Sequence, residues 1–155
     1  MGELFESACP HGRSVHECEI CQKIQEIQHA EPAVINGERH GHRVLMIQLP
    51  YGCYIAAAFV REGKELRTIN FDVPEAFQKQ GIGERLLRIL SKKGKEFGAE
   101  TLTGHITSMG ALKTRKKVFG DRLVIHGPTG TLSYDEALRI GEEEDFVNYS
   151  VSVKL

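Results

Sequence analysis

The chain has no tryptophan, five prolines in 155 residues, and an aromatic content of only 7%. Neither sign of charge predominates: 20 Lys and Arg face 21 Asp and Glu, a net charge of -1. That balance argues against a general nucleic-acid binder, which would be basic. No apolar run reaches the length of a membrane span. The start, Met1-Gly2-Glu3-Leu4-Phe5-Glu6, lacks the basic and apolar regions of a signal peptide. Gly2 has no Ser or Thr at position 6, so myristoylation is unsupported. These absences lead to an expectation of a cytoplasmic protein with reduced thiols. At this length one domain with a real core is expected.

Cysteine is scarce but unevenly placed. Three of the four cysteines fall within the first 21 residues. Cys18-x-x-Cys21 has the spacing of a metal knuckle, whose turn brings two sulfurs to one ion. Cys9 and His11 can supply two further ligands, with His16 as a rival for one place. Four such ligands close a tetrahedral zinc site with no open position, which would make it structural. A redox Cys-x-x-Cys would follow a thioredoxin-like strand, and none is visible. Unrelated surface thiols are the plainer alternative. Ile20, Ile24 and Ile27 then recur at helical spacing, so a short helix over 22–29 is expected. Residues 1–30 therefore read as a knuckle-like segment and 31–41 as a linker, with a turn at Asn36-Gly37.

From residue 42 the pattern changes. His42–Leu49 and Cys53–Val60 are apolar runs around Pro50-Tyr51-Gly52, a hairpin signal. Leu66–Val73 alternates as a strand does, and a helical pattern runs from Gly83 to about Phe97. Between them lies Gln78-Lys79-Gln80-Gly81-Ile82-Gly83. Glycines where a strand gives way to a helix expose unpartnered N–H groups at the positive end of the helix dipole. That suits an anion, phosphate above all. No Lys-Ser/Thr pair follows, so this is not a nucleoside-triphosphate loop, and the third glycine of the dinucleotide fingerprint is missing.

Further on, Thr101–Ile106 is short and β-rich, and is expected to lie parallel to Leu66–Val73 across a right-handed crossover. Ser108 is a good N-cap for the helix that follows it. Leu123–Ile125 reads as a brief strand, 126–130 as a loop, and Ser133-Tyr134-Asp135-Glu136 as a capping box opening a helix to Ile140. An acidic turn at 141–145 and a final strand over 146–155 complete the chain.

The run from Val73 to Gly83, with Phe77 before Gln78-x-x-Gly81-x-Gly83, resembles the acyl-CoA pyrophosphate loop of the GNAT N-acetyltransferase superfamily. The resemblance spans roughly residues 42–155. It implies an α+β domain with a mixed, mostly antiparallel central sheet and a central parallel strand pair. It also implies transfer of an acetyl group from acetyl-CoA to a primary amine. On it, Phe71, Val73, Gln78, Lys79, Gln80, Gly81, Ile82 and Gly83 would bind the cofactor. Ser108 stands where the family's next helix starts with Asn, and Arg115 where a proton-donating Tyr is usual. Guanidinium does not give up a proton near neutral pH, so Arg115 would stabilise a thiolate or grip a phosphate by charge.

Such a reaction needs a base, because a Lys-type amine has a pKa near ~10.4 and arrives protonated. Asp72 and Glu75 are the nearest carboxylates, and His105 is the nearest imidazole, a group that titrates near neutral. Lys113, Lys116 and Lys117 beside Arg115 form a patch for a CoA phosphate or an anionic partner, or simply a solvated basic face. The rival to an enzyme is a protein of this shape without catalysis, binding protein or nucleic acid through the knuckle and that basic patch.

Overall fold

The computed structural model describes residue 12 and residues 18–155. Eight strands form one sheet in the order β1-β2-β3-β4-β5-β8-β6-β7. They are β1 Ala33–Arg39, β2 His42–Leu49, β3 Cys53–Val60, β4 Glu65–Asp72, β5 Thr101–His105, β6 Val124–Gly127, β7 Gly130–Leu132 and β8 Ser150–Lys154. All adjacent pairs are antiparallel except β4 and β5. Helices α1 Glu19–His29, α2 Ile82–Glu96, α3 Met109–Phe119 and α4 Tyr134–Glu143 complete the described chain. This is the expected α+β fold with a central parallel pair.

Alternation along the strands puts Leu45, Ile47, Ile55, Ala57, Leu66, Leu102 and Val153 on one face, where they meet Leu86, Leu87 and Leu90 of α2 in a common core. Ile125 and Val151 continue that face and meet Leu112 of α3 and Ala137 of α4. All four helices therefore cover the same side of the sheet. The other side carries no helix among the described residues. Gly94 is needed where α2 crosses β4: a β-carbon there would stand 2.5 Å from Leu66 Cδ2. Its cost to helix propensity, about 1 kcal/mol, is offset by that close approach.

Several expectations are corrected. The 31–41 linker is largely strand: β1 pairs with β2 over seven residues, and the turn falls at His40-Gly41, both with positive φ, rather than at Asn36-Gly37. The signal was weak because every residue of β1 is exposed, so no apolar alternation marks it. The 126–130 loop is a hairpin, with β6 running through Gly127 and β7 following. The helix opened by Ser133 continues into the expected acidic turn, ending at Glu143. The last strand shrinks to Ser150–Lys154.

The N-terminal segment is not a detached appendage over its described part. Ile24 and Ile27 of α1 belong to the main core. Arg85 donates to the carbonyls of Ile27 and Ala30, both at 2.6 Å, closing the C-terminal end of α1. Among the described residues no group of three or more His, Cys, Asp or Glu could hold a metal ion. Of the expected zinc ligands, Cys18 is buried at the N-cap of α1 and Cys21 lies in its first turn. Cys9, His11 and His16 lie outside the described residues. No described helix is long and apolar enough to cross a membrane.

Candidate active site

The parallel pair is short. β4 and β5 are paired only over Glu65–Arg67 and Thr101–Thr103, although β4 runs on to Asp72 and β5 to His105. Beyond that point the β5-facing edge of β4 has no strand partner, so the sheet opens between its two central strands. A bulge lies at the opening: Ala56 pairs with Asn70 and Ala57 with Thr68, leaving Ile69 as the extra residue. Bulges bend and twist a strand locally. Here the bulge keeps Thr68 and Phe71 on the helix side while Arg67, Asn70 and Asp72 face the open side.

Glu65 holds the closed end of the split. It is buried, 5% exposed. It accepts from Thr103 Oγ1 of the neighbouring strand at 3.1 Å, from Arg67 Nε and Nη2 at 3.1 and 2.9 Å, and from Arg61 Nε at 3.2 Å. One carboxylate thus serves two guanidinium groups and the β5 hydroxyl.

The glycine loop sits against the end of β4. A 3₁₀ turn over Glu75–Phe77 leads into it. Gln78 Nε2 donates to the Val73 carbonyl at 2.9 Å, and Gln28 of α1 donates to the Gln80 carbonyl at 3.0 Å. Lys79 and Gly81 both have positive φ, 63° and 77°, which turns the chain into α2. The first backbone bond of that helix runs from Arg85 N–H to the Gly81 carbonyl. The N–H groups of residues 79–84 therefore donate to nothing else among the described residues. A β-carbon on Gly81 would meet open space, whereas one on Gly83 would lie 3.4 Å from Phe71 Cζ.

Of the residues expected to bind the cofactor, Phe71, Val73 and Gln78 to Gly83 come together here. Their roles differ from a uniform cradle. Ile82 is a core residue, 1% exposed, and contributes only backbone. The Gln78 side chain is spent on Val73. Ser108 caps α3, accepting from Ala111 N–H at 3.1 Å. Arg115 turns inward from α3 and is buried. Its Nη1 donates to the Ala111 carbonyl at 3.2 Å, and its guanidinium lies 5.7 Å from the centre of the Phe71 ring.

The expected 113–117 basic patch is not one surface. Besides the inward Arg115, Lys116 bridges to Asp121 and lies over the Tyr134 ring, and Lys117 pairs with Glu84. The three expected base candidates are also separated. Glu75 is exposed in the 3₁₀ turn, and Asp72 is at the far end of β4. His105 ends β5 and lines a groove of about 510 Å³ on the helix-free side.

Spacing alone missed that groove. Its walls include Arg61, Glu65, Arg67, His126, Ser150 and Ser152, which come from three strands and a turn. His126 Nε2 lies 2.7 Å from Ser152 Oγ. The one available signal was the outward polar register of Thr103, His105, Ser150 and Ser152 in otherwise apolar strands. Gly104 was also overlooked, although a glycine inside a strand marks a close approach.

No protein-family profile matches the sequence, and no curated protein matches it. Solved structures do match the fold. The IAA acetyltransferase of Bacillus cereus superposes with a TM-score of 0.53 at 17% identity, over 74% of this chain and 78% of that one. An acetyltransferase of Bacillus subtilis in complex with CoA gives 0.52 at 17% identity, over 81% and 99%. A GNAT family acetyltransferase of Elizabethkingia anophelis with acetyl-CoA bound gives 0.51 at 17% identity, over 74% and 76%. With its split parallel pair and mostly antiparallel sheet, the chain has the fold of the GNAT acyl-CoA N-acyltransferases.

Proposed function

We propose that the protein is an N-acetyltransferase that moves an acetyl group from acetyl-CoA to a primary amine. The observation that carries this reading is the row of unpartnered amides over residues 79–84 beside an opened strand pair. The amides suit the diphosphate of CoA. The unpaired edge of β4 past Arg67 suits the amide-bearing pantetheine arm, which would lie along it as a further strand does. Backbone donors held by the sheet polarise the thioester carbonyl without reorganising. Val73 offers less than its position suggests, since Gln78 already occupies its carbonyl.

The amine would arrive from the helix-free side, through the groove beside His105. There His105 takes the proton that the ammonium must lose before attack. Asp72 shares that side but lies at the other end of the strand, and Glu75 belongs to the loop approach. The groove holds two guanidinium groups against one carboxylate, which favours an acceptor that is neutral or anionic apart from its amine. The alternative, a non-catalytic binding protein, loses its basic patch to the burial of Arg115 and the ion pairs of Lys116 and Lys117. A zinc site on Cys9, His11, Cys18 and Cys21 is a separate reading; one zinc per chain by elemental analysis, lost in Cys18→Ser, is its expected signature.

Acetyl-CoA binding tests the main reading. At a hundredfold excess over Kd, linkage supplies about 2.7 kcal/mol, a rise in melting temperature of about 5–10 °C for a chain of this size. No rise at millimolar acetyl-CoA would overturn it.

A further inference from the structure

Arg115 is an anomaly that acetyl-CoA binding alone does not explain. Its side chain is 5% exposed. No carboxylate lies within ion-pair distance of it among the described residues, in contrast to Arg61 and Arg67, which share Glu65. Its Nη2 lies 3.3 Å from where a β-carbon on Gly104 would stand, and that same position lies 3.4 Å from Thr68 Cβ. Thr68 and Gly104 are the first residues past the last β4–β5 pair. The guanidinium therefore lies between the strands on the helix side, where they begin to part. Burying a charge without a partner is costly. Desolvation pulls its proton affinity below the usual arginine range, yet guanidinium remains charged at any physiological pH.

The charged groups on the surrounding elements face elsewhere. Arg67, Asp72 and His105 point to the helix-free side, Glu84 pairs with Lys117, Lys116 with Asp121, and Arg85 caps α1. The Phe71 ring lies near both the first turn of α2 and the guanidinium: its Cζ is 3.4 Å from where a β-carbon on Gly83 would stand, and its centre is 5.7 Å from the Arg115 guanidinium.

We propose that Arg115 is a catalytic residue that stabilises the departing CoA thiolate as a fixed charge, in place of a side chain that would protonate it. This rests on the acyltransfer reading above. In the step concerned, the neutral amine forms the new C–N bond to the thioester carbonyl carbon. The C–S bond breaks, its electron pair leaves on sulfur, and the proton shed by the attacking nitrogen passes to His105 once that residue has released the ammonium proton to solvent through the groove. Arg115 gives up no proton. The resting enzyme carries the uncompensated cation, and the anion that neutralises it appears only as the bond to sulfur breaks, which is where stabilisation raises rate.

Titration of CoA bound to the full chain tests this, followed by the ultraviolet absorbance of its thiolate. A free alkyl thiol ionises near about 8.5, and a neighbouring cation lowers that. Bound to the wild type, the CoA thiol is expected to ionise at least tenfold more readily than in solution. In Arg115→Met the shift should vanish while acetyl-CoA affinity changes less than about threefold, and Arg115→Lys should keep part of it. Ligand-free Arg115→Met should melt higher by about 2–4 °C, since an unpaired buried charge is gone. A thiol that titrates as in solution when bound to the wild type, or identically in Arg115→Met, overturns the assignment while leaving CoA binding intact. Failure of both CoA and acetyl-CoA to bind removes the acyltransfer reading, and this one with it.

Discussion

Arg115 occupies space that a side chain at position 104 would take: its Nη2 lies 3.3 Å from the β-carbon that Gly104 lacks. The two residues belong to β5 and α3, elements joined by residues 106–108, and the space the glycine leaves is filled by the buried arginine. Gly104→Ala should displace the guanidinium, the end of a flexible side chain, more readily than the sheet. The expected result is a change in stability of about 1 kcal/mol or less, with the CoA-thiol shift reduced as in Arg115→Met. A shift that survives in Gly104→Ala would show that the guanidinium acts from elsewhere.

The two loop glycines should behave differently. Gly81 has φ 77°, and its missing β-carbon faces open space where a diphosphate would approach. Gly81→Ala should lose about 1 kcal/mol of stability from the left-handed backbone and weaken acetyl-CoA binding about tenfold or more. Gly83→Ala points its methyl at Phe71 and should alter both modestly. Calorimetric titration of the two variants compares them directly, and equal losses would remove the phosphate role assigned to the loop amides.

His105→Asn should lower turnover about 100-fold, the scale of a lost general base, with acetyl-CoA affinity unchanged. Glu75→Gln should leave turnover near wild type, because that carboxylate lies on the loop approach rather than beside the groove. Steady-state rates with an accepted amine distinguish the residues. A silent His105→Asn would shift attention to Asp72.

Ile27 is fully buried although it belongs to the N-terminal segment. Truncating it should cost about 2–5 kcal/mol, as for other core isoleucines. Urea denaturation of Ile27→Ala reads this directly. An unchanged midpoint would mean that α1 folds apart from the sheet.

Cys53 is fully buried, and burial, with the Asp72 charge added, holds its thiol above the ordinary value of 9.0. The folded state therefore holds this proton more tightly than the unfolded chain. That contribution is fully present below pH 9.0 and is lost as pH rises through the higher folded value. Urea midpoints from pH 7 to 10 should fall more steeply for the wild type than for Cys53→Ala. Alkylation of the native protein at neutral pH should leave Cys53 unmodified by mass spectrometry.

Legibility in the sequence followed burial. The β2–β3 hairpin, β4 and α2 were readable because each puts one apolar face into the core, so the period of the element appears in the residues. The glycine loop was readable because Gly81 and Gly83 fall where a strand pattern gives way to a helical one. β1 has no buried residue, and β7 has three residues and none buried; neither leaves a periodic trace, and both exist because a neighbour offers backbone hydrogen bonds.

The local chemistry of the chain, an anion-ready turn between a strand and an amphipathic helix, was therefore determined by sequence alone. It depends only on neighbours a few residues apart. Where β4 and β5 part, which face Arg115 takes, and which strands line the groove at His105 were decided by tertiary structure. Those arrangements depend on registers and packing between residues that are distant in sequence, and no local pattern specifies them.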